Sequence, residues 1–255
     1  MNIGKIAVIV PTMYAAPEWL PGLVSDLNSE PDVAKLFLIE NGGKSRPATL
    51  ETVRPHTLES GMGWLRATNH GLGVAASQGG FLGYCLLNDD VRLSPNFFHY
   101  ILEAWRITGA GLVASCYYST TPGRCAGRPE FFPRPMYSGL VSGYQTRPVD
   151  REVGWMDGTF LFIPADTYRA LGPLDDRFHE YGWGATDVYS FRTKDELGKP
   201  LFVTERTLVD HFGRATADAR WSNYDAEAWK EKTRILREAG YPDWKTRQNQ
   251  LQSQQ

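Results

Sequence analysis

The chain has 255 residues and a net charge of −2, with 42% hydrophobic and 22% charged residues, room for one large domain or two small ones. That charge argues against a nucleic-acid-binding or anionic-lipid-binding surface, and no apolar run approaches the ~18 residues of a membrane span. The three cysteines, Cys85, Cys116 and Cys125, form no CxxC pair or metal-ligand spacing, so a reducing, cytoplasmic setting is expected.

"KIAVIVPT" is a continuous apolar run closed by proline, as expected of a strand buried on both faces. No signal-peptide cleavage pattern follows it, so it reads as part of the mature protein. "APEWLPGLVSDLNSE" carries Trp19, Leu20, Leu23, Val24 and Leu27 at helical spacing. "VAKLFLIENGG" is a second strand ending in Glu40, Asn41 and two glycines. "GMGWLRATNHGLGVAASQGGF" reads as a glycine-rich loop and then a helix of small residues. "FLGYCLLNDDV" is a third buried strand. This alternation predicts a parallel sheet with right-handed crossovers, whose ligands bind outside the carboxyl ends of the strands. Three polar clusters fall at those ends: Pro11 and Thr12, Glu40 and Asn41, and Asn88, Asp89 and Asp90.

Further on, "FFHYILEAWRI" is expected to be a helix and "AGLVASCYYS" a strand. Residues 119–150 are rich in Pro, Gly and Arg and predict a long loop over the site. "VGWMDGTFLFIPADTYRALG" predicts a strand and then a helix from about Pro164. "PLDDRFHEYGWGATDVYSFRTKDELG" predicts a loop and a helix, and "PLFVTERTLVDHFG" a strand ending in His211. With no repeat or clean linker, one domain is expected over 1–243. Its first half spans about 1–95 and its second about 96–243, with a polar, flexible tail over 244–255.

Adjacent carboxylates at a strand end hold a hard cation such as Mg²⁺ or Mn²⁺; they also suit an Asx turn. His211, at another strand end, can complete the same coordination through a neutral imidazole, although lone histidines are more often packing residues. Glu40 and Asn41 can read the polar edge of a nucleobase or ribose hydroxyls. Arg66, Asn69 and the backbone of Gly71 and Gly73 can flank that crevice. "GLG" is not the dinucleotide fingerprint, because position 76 is alanine. The eight tryptophans suit a carbohydrate or nucleoside site and a large core equally.

Taken in order, "IAVIVPT", "LFLIENGG", "NHGLGVAAS", "LLNDDV", "WMDGTFLFIPADTYRALGPLDDRF" and "LVDHFG" resemble an inverting, family 2-type glycosyltransferase of the GT-A fold. The resemblance spans roughly residues 5–215. No single motif is specific; the ordered set is. It implies an α/β fold: a mixed, mostly parallel Rossmann-like sheet flanked by helices in a single domain. By the resemblance Glu40 is the nucleobase-binding acid, and Asn88 and Asp90 are the outer positions of the DxD, with Asp89 close by. Asp90 and His211 bind the metal, and Asp157 and Gly158 face sugar and acceptor. Where the family has E-D-x-D before an arginine, this chain reads Thr186, Asp187, Val188, Tyr189, ending in Arg192. Asp187 is therefore the expected general base, with Asp176 and Glu180 as alternatives and a helix N-cap as its structural role. Trp183, in "YGWG", is similar to a sugar-packing tryptophan of some relatives.

The implied activity is metal-dependent inverting transfer from a nucleotide-diphosphate sugar, a UDP-sugar, with Mg²⁺ or Mn²⁺. The acceptor is a hydroxyl of a glycan, protein side chain or small molecule. Two alternatives stand beside it. A nucleotidyltransferase would need a glycine-rich basic loop after the first strand, which "PTMYAAPEW" lacks. An inactive nucleotide-sugar or glycan-binding protein would account for the missing E-D-x-D carboxylates.

Overall fold

Neighbouring residues of strand β1 (Ile6–Thr12) serve two different cores. Ala7 and Ile9 enter one hydrophobic cluster; Ile6, Val8 and Val10 enter the other. A strand with helices on both faces must be apolar throughout, which is why this stretch shows no alternation. The computed structural model describes residues 4–15, 17–42, 56–57, 62–118, 150–156, 158–178, 182, 184–211 and 224–241. Of the expected loop over 119–150, residue 150 begins a strand and the rest lies outside these residues, as does the tail over 244–255.

In chain order β1 is followed by α1 (Leu20–Ser29), β2 (Val33–Glu40), β3 (His56–Thr57), α2 (Gly63–Gln78), β4 (Gly83–Leu87), β5 (Val91–Leu93) and α3 (Phe97–Thr108). Then come β6 (Leu112–Tyr118), β7 (Asp150–Glu152), β8 (Phe160–Pro164), α4 (Ala165–Leu171), α5 (Ala185–Asp195), β9 (Leu201–His211) and α6 (Tyr224–Glu238). Among the described residues the strands form a single sheet, ordered β3-β2-β1-β4-β8-β6-β9-β5, with β7 paired to β9. β3, β2, β1 and β4 are mutually parallel, as the crossover reading expects. Beyond β4 the sheet is mixed: β8 runs antiparallel to β4 and β6, while β9 runs parallel to β6. α1 and α3 pack on one face; α2, α4, α5 and α6 pack on the other.

The stretch expected to be a glycine-rich loop is helix. α2 takes in the whole of "NHGLGVAAS". A Cβ on Gly71 would lie 2.5 Å from Ile9 Cγ2 and 3.0 Å from Ile39 Cγ1. That glycine lets the helix sit close on β1 and β2, so its role is packing rather than a backbone turn. α6, by contrast, follows a stretch that gave no predicted element. It buries Ala228, Lys232, Ile235 and Leu236, spaced four, three and one apart, on a polar helix.

Candidate active site

β5 sets the geometry at the centre. After β4 the chain turns at Asn88, Asp89 and Asp90, then pairs antiparallel with the end of β9, Val91 opposite His211. The acidic turn and the histidine, far apart in sequence, thus share one corner of the sheet. The Asn88 amide N–H donates to the Thr159 carbonyl at 3.3 Å, tying the turn to the start of β8. His211 Nε2 lies 3.2 Å from Asp90 Oδ1 and 3.3 Å from Asn88 Nδ2. Both Asp90 and His211 are buried.

Asp89 points to the neighbouring strand. Thr12 Oγ1 donates to its Oδ2 at 2.6 Å, and the same hydroxyl accepts the Tyr14 N–H at 2.9 Å. Burial first, and the adjacent Asp90 charge second, push the Asp89 carboxyl up from 3.8 to about 7, against the opposing pull of the Thr12 hydrogen bond. Two buried carboxylates here are costly unless a positive charge joins them.

At the end of β2, Glu40 accepts hydrogen bonds from the hydroxyls of Tyr14 and Thr57, the latter at 2.8 Å. Asn41 lies beside it, its N–H donating to the Thr12 carbonyl and its Oδ1 accepting the Met62 N–H, each at 2.9 Å. Asn41 therefore caps the entry to α2, and α2 begins at the crevice rather than ending there. Pro11 and Thr12 close β1 directly opposite Ile39 and Glu40.

Asn69 and Gly73 have surroundings other than these strand ends. Asn69 spends both halves of its amide on Leu174, donating to its carbonyl and accepting its N–H at 2.9 Å each. Gly73 lies exposed beyond it with its N–H inside the helix, so it cannot offer that group to a phosphate. Arg66 projects to solvent from the second turn. The loop expectation failed because the helix tolerates two glycines where the strand packing beneath it requires one. A cavity of about 910 Å³ does involve Asn69 and Gly73, together with His70, Asp176 and Arg192, but none of Thr12, Glu40, Asp89, Asp90 or His211 lines it. Asp176 belongs to that cavity.

Gly158 joins the strand-end cluster to α5. A Cβ there would stand 3.0 Å from the Trp64 ring and 3.4 Å from Thr186 Cγ2, the residue before Asp187. Asp187 is buried in the first turn of α5, but it is not the cap: Gly184 holds that position, at φ +94°. The Asp187 carboxylate instead meets Lys232 Nζ of α6 at 2.7 Å. Asp157, Glu180 and Trp183 lie outside the described residues.

Three contributors escaped the sequence reading. Tyr14 has no motif around it. Trp64 sits one residue inside a helix read as loop. Lys232 lies in an element that was not anticipated, although the spacing of Ala228, Ile235 and Leu236 is a helical signal.

No protein-family model matches the chain. The uncharacterized protein Rv1525 of Mycobacterium tuberculosis is 27% identical over 222 residues, 86% of this chain and 78% of that protein. The uncharacterized protein Mb1552 of Mycobacterium bovis shows the same values. Among solved structures, GalNAc-T7 crystallised with UDP, GalNAc and Mn²⁺ has a TM-score of 0.66 at 12% identity, over 89% of this chain and 50% of that one. Staphylococcus aureus TarS 1-349 has a TM-score of 0.57 at 11% identity, over 84% of this chain and 62% of that one. Its complex with UDP-GlcNAc has a TM-score of 0.56 over 80% of this chain and 58% of that one. The chain thus spans about half the length of GalNAc-T7 and under two thirds of TarS 1-349. The likeness shows the fold: a GT-A sheet and its flanking helices, the architecture on which these glycosyltransferases are built. No helix among the described residues is long and apolar enough to cross a membrane.

Proposed function

We propose that the chain is a metal-dependent, inverting glycosyltransferase that moves a sugar from a UDP-sugar to an acceptor hydroxyl. The observation that carries this reading is the meeting of Asp90 Oδ1 and His211 Nε2 at 3.2 Å, at the carboxyl ends of the strands. Two ligands about 2.1 Å from an octahedral cation stand about 3 Å apart, so this pair fits one edge of such a site. A single imidazole nitrogen also cannot donate to Asp90 while accepting from Asn88; a cation at that point lets Asp90 and Nε2 both serve as lone-pair donors. Among the described residues no group of three or more His, Cys, Asp or Glu could hold a metal ion. A two-residue site suits Mg²⁺ or Mn²⁺, which take much of their coordination from substrate phosphates and water. Such a cation supplies positive charge to the departing diphosphate.

The chain's own residues supply the rest. Glu40, held by Tyr14 and Thr57, faces the nucleoside end of the crevice. Thr12 orients Asp89 beside Asp90. Gly158 lets Trp64 pack close beside it, and with Asp157 and Trp183 it is assigned to the sugar and acceptor side. Asp187 takes the acceptor proton as the new C–O bond forms at the anomeric carbon and the bond to the diphosphate breaks, releasing UDP. The acceptor is a glycan, a protein side chain or a small molecule.

The test is UDP release from a panel of UDP-hexoses and UDP-N-acetylhexosamines with Mn²⁺, in wild type and in Asp187→Asn. Wild type should release UDP from at least one donor. The variant should lose roughly 10²-fold to 10⁴-fold in rate while still binding that donor. Equal rates in the two proteins would remove Asp187 from the chemistry.

A further inference from the structure

We infer that Lys232 is a positioning residue for Asp187, so that the C-terminal helix α6 forms part of the catalytic unit. The inference rests on the reading of Asp187 as the base and deepens it. Asp187 and Lys232 are both buried, and their charged groups meet at 2.7 Å. Among the described residues Lys232 is the charged side chain that meets Asp187.

Each side of the contact is built. On the lysine side, Nζ lies 5.2 Å from the Trp155 ring and 5.7 Å from the Trp229 ring. The two aromatic faces favour the ammonium where water is scarce. On the carboxylate side, the α5 N-terminus carries Asp187 in its first turn, where the helix dipole favours an anion. Between them stands Gly184, where an added Cβ would lie 2.5 Å from Phe178 Cε1 and 3.0 Å from Lys232 Cγ. The lysine stem therefore runs against the α5 cap itself, with no space for a side chain there.

A base in this place has a particular problem. Asp187 is buried, and a buried carboxylate needs a counter-charge held in place. A neutral Asp187 could not accept the acceptor proton. Lys232 supplies that charge at Oδ1, the oxygen its ammonium meets, and the inference gives Oδ2 to the acceptor. The acceptor proton passes to Oδ2, and Lys232 keeps its own proton throughout, so the step balances without a further reactant.

Lys232→Met and Lys232→Arg separate positioning from anchoring. The first readout needs no turnover: the Asp187 carboxyl carbon, labelled with ¹³C, is titrated by NMR in each folded protein. In Lys232→Met its midpoint should move up by about one pH unit or more, and in Lys232→Arg it should stay near wild type. An unchanged midpoint in Lys232→Met overturns the inference, and so does a Lys232→Arg protein that behaves like Lys232→Met. The second readout is the pH dependence of UDP release with Mn²⁺ and whichever donor wild type uses. The acidic limb should follow the carboxyl midpoint in Lys232→Met, with kcat down roughly 10-fold to 10²-fold and donor KM unchanged. A limb that ignores the midpoint also overturns it. Wild type releasing UDP from no donor would sink the donor reading instead, and the carboxyl titration alone then decides the role of Lys232. Should Lys232→Met fail to fold, Lys232→Gln is titrated in its place.

Discussion

At the scale of single residues, the acidic turn shows how one sequence feature divides into two roles. Asp90 faces His211 and Asp89 faces Thr12. Asp89 is costly without a cation: its folded-state carboxyl lies well above the unfolded 3.8, at about 7. The folded state then binds the extra proton between those values, so this group favours folding at low pH and that contribution is lost as pH rises toward 7. Thermal melts without metal should therefore show Asp89→Asn gaining on wild type as pH goes from about 4 to about 7. Parallel melting curves across that range would mean that Asp89 is not strained by its neighbours. Added Mn²⁺ should reverse the trend for wild type, because a cation favours the ionised form. Asp187 teaches the opposite lesson. Read from sequence as a cap, it would tolerate asparagine without cost. Buried against Lys232, its loss leaves a buried ammonium alone, and Asp187→Asn should lose roughly 3 kcal/mol of stability in urea melts.

At the scale of elements, Glu30 is the clearest case of a terminus satisfied from outside. Just past the end of α1, its carboxylate accepts the N–H groups of Phe97 at 3.0 Å and Phe98 at 3.3 Å, two of the orphan donors that begin α3. Glu30→Ala should cost about 1–2 kcal/mol by urea unfolding, with UDP affinity unchanged, because α3 packs on the face away from α2 and α5. A variant as stable as wild type would show that water replaces the cap. Strands β1 and β4 were legible because burial on both faces leaves continuous apolar runs, each closed by a polar residue; β2 and β9 were legible from shorter apolar stretches that end on Glu40 and His211. The failures have physical causes as well. "RATNHGLG" was read as loop from its glycines, yet Gly71 is where a helix needs the least bulk against Ile9. β5 is too short to show a period, although its pairing with β9 is what brings Asp90 to His211. α6 carries few apolar residues, so its amphipathic face was easy to pass over.

At the scale of the whole molecule, the candidate site draws on both halves of the chain. The first half supplies Thr12, Glu40, Asn41 and the acidic turn, all read from strand ends. The second half supplies His211, which was also legible, and the Asp187–Lys232 pair, of which only the aspartate was. Long-range contacts between helices leave little trace in a single sequence, whereas strand ends announce themselves. The central claim is that the strand-end corner binds a nucleoside diphosphate through a divalent cation held by Asp90 and His211. The most direct measurement is calorimetric titration of UDP into wild type, Asp90→Ala and His211→Ala, each with and without Mn²⁺. Wild type should bind UDP at least tenfold more tightly with Mn²⁺ than without it, about 1.4 kcal/mol. Asp90→Ala should lose that difference while keeping a wild-type fold, and His211→Ala should lose part of it. UDP affinity that is indifferent to Mn²⁺ in wild type, or equally Mn²⁺-dependent in all three proteins, would contradict the account.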